Sequence, residues 1–272
     1  MSEVGPADAA GQDVGPANAA RMYDYYLGGS ANFAVDRALA DRAIAVRPAL
    51  PAIARANRAF LNRVVAHLVG CGVDQFLDLG SGIPTVGNVH EVAARSTPDA
   101  RVVYVDREPV AVAYAQELLR GHDRATVVHA DLRDSDRVCR DAAELLDFSR
   151  PVALLAVAAL HFLPDADDPA GVLARYRGAL TPGSYLALSH GTGDHQPVGA
   201  GIGTALYQQS TSPITLRTHA EVTALFDGFQ VLDPGVVFTS AWRPDLPGPH
   251  DRLAARPEQA GFYAGLARLG PG

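Results

Sequence analysis

From residue 75 to residue 190 one rhythm repeats: a run of six or seven mostly aliphatic residues, a turn, then an amphipathic stretch. QFLDLG (75–80), RVVYVD (101–106), TVVHAD (126–131), PVALLAV (151–157) and SYLALSH (184–190) are the strand candidates. The stretches 88–96, 108–120, 134–146 and 167–179 between them have helical periodicity. Short β-branched runs alternating with helices specify βαβ units, and therefore a mainly parallel sheet with helices on both faces. Beyond it, 219–228 reads as a further helix. FQVLDP (229–234) and GVVFTSAW (235–242) read as a closing antiparallel pair turned at Pro234-Gly235, and 257–270 as a terminal helix.

The first quarter of the chain has a different period. NAARMYDYYL starts at Asn18, a residue suited to capping, and stops at Gly28-Gly29. Segments 32–46 and 53–70 also read as helices, punctuated by Pro48 and Pro51. Residues 1–17 lack large apolar groups and are expected to form a disordered tail. The expected organisation is thus a tail (1–17), a helical extension (18–73) and an α/β core (74–272) within one domain. No apolar run is long enough to span a bilayer, and the N-terminus does not resemble a secretory signal, so a cytoplasmic protein is expected. Cys71 and Cys139 are the two cysteines, without CxxC spacing, and no His/Asp/Glu cluster has metal-ligand spacing, so no metal site is expected. All 23 basic residues are arginine, which excludes lysine-dependent chemistry, and a net charge of −7 offers nucleic acid no global attraction.

In an open parallel sheet, ligands bind beyond the carboxyl ends of the strands. Three successive strand candidates finish in or beside an aspartate: Asp78, Asp106 and Asp131. Such carboxylates suit ribose hydroxyls and an exocyclic amine. The first is followed by Gly80-Ser81-Gly82, but this loop is not a dinucleotide fingerprint. Pro84 removes an N–H donor, Thr85 stands where the last glycine belongs, and Asn88 with Glu91 marks a late, capped helix start. The loop is poorly suited to a pyrophosphate and better suited to a ligand that has none.

The motifs DLGSG (78–82), Asp106 and ADL (130–132) resemble the class I S-adenosylmethionine-dependent methyltransferases. RMYDYYLGGSANFAVDR (21–37), ARANRAFLNR (54–63), QFLDLGSGIPTVGNVHEVA (75–93), VVYVDREPV (102–110), LDFSRPVALLAVAALHFLPD (146–165) and GSYLALSH (183–190) are similar to one actinobacterial family of methyltransferases, known mainly from sequence and structure. The resemblance runs from residue 18 to the C-terminus. It implies a seven-stranded Rossmann-like sheet with S-adenosyl-L-methionine along its carboxyl edge. Gly80, Ser81 and Gly82 would lie beside the methionine part, Asp106 at the ribose, and Asp131 with Leu132 at the adenine; Arg107 is a further cofactor-binding candidate. Asp78 would orient the loop or meet the amino group. The resemblance names no methyl acceptor; a small molecule is expected, and it leaves the oligomeric state open.

Further candidates come from the helices and the later strand ends. Tyr23, Gly29, Asn32 and Phe33 surround the helix stop and are candidates for a lid that excludes water. Arg55 and Arg58 share a helical face, where one of them could pair with the cofactor carboxylate or an anionic acceptor, the alternative being a solvent-facing pair; Arg58 is the cofactor-binding candidate. His90, in the helix after the loop, is a candidate contact to the cofactor tail. His161 and His190, after the fourth and fifth strands, are the candidate general bases. Two competing readings are a non-catalytic sensor of S-adenosylmethionine or its demethylated product, and an NAD-dependent Rossmann oxidoreductase.

Overall fold

The computed structural model describes residues 15–84, 87–195, 204–208, 210–246 and 248–271. Most of the expected tail and Thr85 of the loop lie outside these residues. Three helices come first: α1 (Ala19–Leu27), α2 (Ala34–Val46) and α3 (Leu50–Gly70). There follow β1 (Gln75–Leu79), α4 (Val89–Ala94), β2 (Arg101–Asp106), α5 (Pro109–Leu118) and β3 (Ala125–His129). Next come α6 (Ser135–Ala142), β4 (Ala153–Val157), α7 (Pro169–Ala179) and β5 (Tyr185–Gly191). The chain then forms α8 (His219–Ala224), β6 (Gln230–Val231), β7 (Val237–Phe238) and β8 (Phe262–Arg268). Among the described residues, no helix is long and apolar enough to cross a membrane.

Among the described residues the sheet has eight strands, not the expected seven, in the order β3-β2-β1-β4-β5-β8-β6, with β7 also paired to β8. The first five strands are mutually parallel, as their sequence rhythm implies. The extra strand arises where a terminal helix was expected. PEQA (257–260) is a 3-10 turn, and FYAGLAR is β8, antiparallel to β5 over seven residues. Its Ala, Leu and Arg content favours a helix, but burial from Tyr263 to Ala267 between two neighbouring strands overrides that preference. The hairpin expected between 229–234 and 235–242 does not form. The short β6 and β7 both pair with β8 instead, which supplies the edge that either would otherwise lack.

Side chains alternate cleanly across the central strands. Leu77, Leu79, Val103, Val105, Leu154 and Leu186 face one core with α6, α7 and α8. Phe76, Val102, Tyr104, Leu155 and Ala187 face the other core, beneath α3 and α4. Helix α3 is therefore a core helix as well as part of the N-terminal quarter: its Phe60, Val64 and Leu68 are fully buried against the sheet. It also starts three residues earlier than the sequence suggested, because Pro51 fits the first helical turn rather than preceding it.

Helices α1 and α2 pack on α3 through a smaller cluster that includes Met22, Tyr26, Leu39 and Ala54. A buried ion pair ties them together: Arg21 Nε lies 2.9 Å from Asp36. Asn18, the residue capping α1, donates from its backbone N–H to the same carboxylate and from its side chain to Glu108. Ala17 is itself buried, so packing begins before Asn18. Removing one partner of a buried pair strands the other charge away from water. Asp36→Ala is expected to destabilise the chain by about 3–5 kcal/mol, read as a lowered urea midpoint; an unchanged midpoint would show that the apolar cluster alone holds α1 and α2 in place.

Candidate active site

The strand order reverses at β1, whose neighbours β2 and β4 lead away on opposite sides. Beyond their carboxyl ends lies a cavity of about 210 Å³. Gly80 leaves β1 with φ +66°, and a Cβ there would come within 2.8 Å of the Ala159 side chain. Only glycine meets both conditions. The amides of Gly80 and Ser81 donate to Val105 O, and the Gly82 amide donates to Asp106 Oδ2 at 2.7 Å. The loop thus folds back onto the end of β2. Asn88 and Glu91 cap α4 as their spacing suggested.

Asp78, Gly80, Ser81, Gly82, Asp106, Arg107, Asp131 and Leu132 all line this cavity, as do Tyr23, Arg58 and His161. Asp78 sits inside a strand that is buried at every position, on the same face as Phe76 and Tyr104 and so beneath α3. Burial pushes its carboxyl up to about 7, and the nearby Asp106 charge adds to this while Arg58 opposes it. Asp106 is also raised by burial, against the pull of the Glu108 and Gly82 amides that it accepts. Burial would raise Asp131 as well, but the Arg133 hydrogen bonds and the Arg133 and Arg107 charges bring it below its ordinary value. Asp131 lies two residues past the end of β3, so it stands on the rim rather than on the strand itself.

Arg55 is exposed, whereas Arg58 turns into the cavity, its guanidinium 5.8 Å from the Tyr23 ring. The Arg58 Nε is buried and has no hydrogen-bond partner among the described residues. The Tyr23 hydroxyl donates to Ala54 O and accepts from Asn57 Nδ2. Asn57 Oδ1 in turn accepts from the Ser189 hydroxyl of β5, and that hydroxyl accepts from the Ala158 amide. Ala158 has φ 56°, an uncommon conformation for a residue with a side chain, in the turn that leads from β4 to His161.

The other lid candidates stand behind this wall. Asn32 donates to Asp24 and to Gly29 O, and the Phe33 amide donates to Asp36. Gly29, Asn32 and Phe33 hold the α1–α2 corner and do not line the cavity. Nor does His90, whose amide and ring are both bonded to the Tyr104 hydroxyl.

The two candidate bases differ. His161 is buried at the cavity wall, and its Nδ1 has no bonding partner among the described residues. Burial, with the adjacent His190 and Arg217, holds its pKa well below 6.5, so it is neutral near pH 7. His190 is fully buried and does not line the cavity; Nδ1 meets Gly191 O and Nε2 meets Arg217 Nη1, both at 2.8 Å. An arginine can only donate, so Nε2 accepts and Nδ1 carries the proton. Burial lowers its pKa to about 4. With both nitrogens engaged, His190 is positioned to buttress rather than to take a proton.

Sequence reasoning missed Asn57, Tyr26, Tyr207 and Phe262 at the cavity. Asn57 was detectable: it stands four residues from Ile53 and Leu61 on the apolar stripe of α3, where a polar residue needs a partner. Phe262 was hidden by the expected terminal helix.

A family model described as S-adenosyl methyltransferase matches residues 7–270. The chain belongs to that family. The enzyme is an S-adenosylmethionine-dependent methyltransferase, and S-adenosylmethionine is its cofactor. A DUF574-family protein from Streptomyces avermitilis has a similar crystal structure, with 39% identity, TM-score 0.88, and 95% of this chain and 99% of that one covered. A candidate methyltransferase from Thermobifida fusca is similar to the same degree, with 39% identity, TM-score 0.88, and 95% and 97% covered. At the level of fold alone, mitomycin 7-O-methyltransferase shares 19% identity with TM-score 0.51, over 78% of this chain and 54% of that one. No curated protein matches the chain.

A buried carboxyl with a raised pKa stabilises the fold only while protonated. For Asp78 the penalty of ionisation is absent near pH 4, grows as pH rises and is complete above about 7. Asp78→Asn is expected to stabilise the ligand-free methyltransferase at pH 8, by up to about 4 kcal/mol, and to leave it unchanged near pH 4. Thermal melts of both chains across this range provide the check.

Proposed function

We propose that the methyltransferase acts on a small molecule, with S-adenosylmethionine held on the Asp78–Arg58 side of the cavity and the acceptor on the His161 side. The observation that carries this reading is the pairing of Arg58, with its buried, unpartnered Nε, and Asp78, poised near neutrality, in one cavity. An amino-acid zwitterion answers both groups. Its carboxylate would take the free guanidinium N–H, and its ammonium would favour the ionised form of Asp78. Asp106 would hold the ribose hydroxyls through lone pairs that its two backbone donors leave free. Leu132 with Asp131 would flank the adenine, and Arg107 would close the ribose side. Tyr23, fixed at both ends of its hydroxyl's bonding range, would keep water from the reacting centre.

When bound, S-adenosylmethionine supplies an electrophilic methyl group on a sulfonium for in-line transfer. The protein's part is alignment and proton management. His161 is neutral at the cavity wall, so its imidazole can accept the proton of an acceptor hydroxyl, while burial and the neighbouring His190 and Arg217 keep the resting ring unprotonated. No observation favours the sensor or NAD readings. The lid role expected of α1 and α2 narrows to Tyr23 and Tyr26, with Gly29, Asn32 and Phe33 supporting them.

Calorimetric titration with S-adenosylmethionine, S-adenosylhomocysteine and NAD tests the reading: both sulfur ligands should bind and NAD should not. Asp106→Ala should weaken either sulfur ligand by about 1–3 kcal/mol; unchanged affinity removes Asp106 from the site. Binding near pH 7 should also release a proton as Asp78 ionises. Repeating the titration in buffers of different ionisation enthalpy detects that proton, and it should be absent in Asp78→Asn.

A further inference from the structure

The cavity contains one cation that the cofactor does not require. Arg47 follows α2 and lines the cavity beside Leu50 and Ile53. Burial lowers its pKa, and no neighbouring carboxylate counters the effect. Its Nε is buried without a hydrogen-bond partner among the described residues. The fully buried arginines are satisfied: Arg21 by Asp36, Arg63 by Trp242 O and Thr239 O, Arg217 by His190 and Asp165. Arg58 shares the state of Arg47, with a buried Nε that has no partner among the described residues, and the cofactor carboxylate proposed above answers it. A buried N–H on a charged group is costly when it lacks a partner, and no carboxylate neutralises this half-buried guanidinium, so it is suited to an anionic occupant of the cavity.

The place is shaped for that guanidinium. A Cβ on Gly261 would collide with Arg47 Nη2, and Gly261 has φ +64°, so a side chain there is disfavoured by both space and backbone. The next residue, Phe262, places its ring 5.5 Å from His161. Leu216, Ile214 and Phe162 complete an apolar wall beside it. Arg47 lies against Gly261 and His161 against the next residue, Phe262, so the cation and the imidazole flank the same short stretch of chain at the cavity.

Building on the function proposed above, we infer that the methyl acceptor is a small organic acid: Arg47 holds its carboxylate, its body lies against Phe262, and the group to be methylated meets His161. The planar guanidinium suits a carboxylate as a paired acceptor. Ion pairing withdraws nucleophilicity from that carboxylate, so it is the handle and not the methylated group.

The test uses the full chain loaded with S-adenosylhomocysteine, titrated calorimetrically with 4-hydroxybenzoate and with its uncharged amide as probes. The acid should bind at least about ten-fold more tightly than the amide. Arg47→Gln should abolish this preference while S-adenosylhomocysteine affinity stays within about two-fold, and Arg47→Lys should retain part of it. Equal affinity for acid and amide, binding of neither, or a preference that survives in Arg47→Gln overturns the inference. Failure of S-adenosylhomocysteine itself to bind would count against the cofactor placement instead. The acid–amide comparison on the unloaded chain would then still read Arg47.

Discussion

The site depends on placing a carboxyl group where the sheet leaves no room for water. β1 is the central strand, with neighbours on both edges and helices on both faces, so Asp78 pairs with Tyr104 on one side and Leu155 on the other. Nothing in the α/β framework needs an acid there, and its burial opposes folding near neutral pH. What the framework provides in return is a rigid, desolvated origin for the glycine turn, which Val105 O and Asp106 then hold in place. An ionic contact made in such surroundings is stronger than the same contact at a surface. A buried acid that costs stability is a common mark of functional sites, where strain and unpaired charge gather.

The N-terminal helices extend that logic from the sheet to its cover. Helix α3 has two roles along its length: Phe60, Val64 and Leu68 bury against the sheet, while Ile53, Asn57 and Arg58 look into the cavity. Helix α1 contributes Tyr23 and Tyr26 but relies on the Arg21–Asp36 pair for its position. The conspicuous run from Gly28 to Phe33 is a corner that lies behind the cavity wall, next to the helix that carries the two tyrosines.

The parallel half of the fold was plain in the sequence because each strand is a short apolar run set off by a helix of different period; RVVYVD matches β2 residue for residue. The strand-end aspartates and the glycine turn were legible for the same reason, since topology fixes where such ends converge. The C-terminal region was not. FYAGLAR has helical composition, and its strand state is set by β5 and β7, partners distant in sequence. The histidines mark another limit: spacing placed His161 and His190 near one another, but only their bonding partners separate a free imidazole from a committed one. Arg47 was invisible for a third reason. In a chain whose basic residues are all arginine, no single one stands out until its surroundings lack a counter-charge.

The Asn57 side chain touches α1 through Tyr23 and β5 through Ser189, and Ser189 also accepts the Ala158 amide. Lifting α1 from the cavity is consequently not a local event. It unsettles the hydroxyl that holds Ala158, three residues before His161. The Tyr23 side of the cavity and the His161 side are geared together through a single amide side chain, so a shift of one bears directly on the shape of the other.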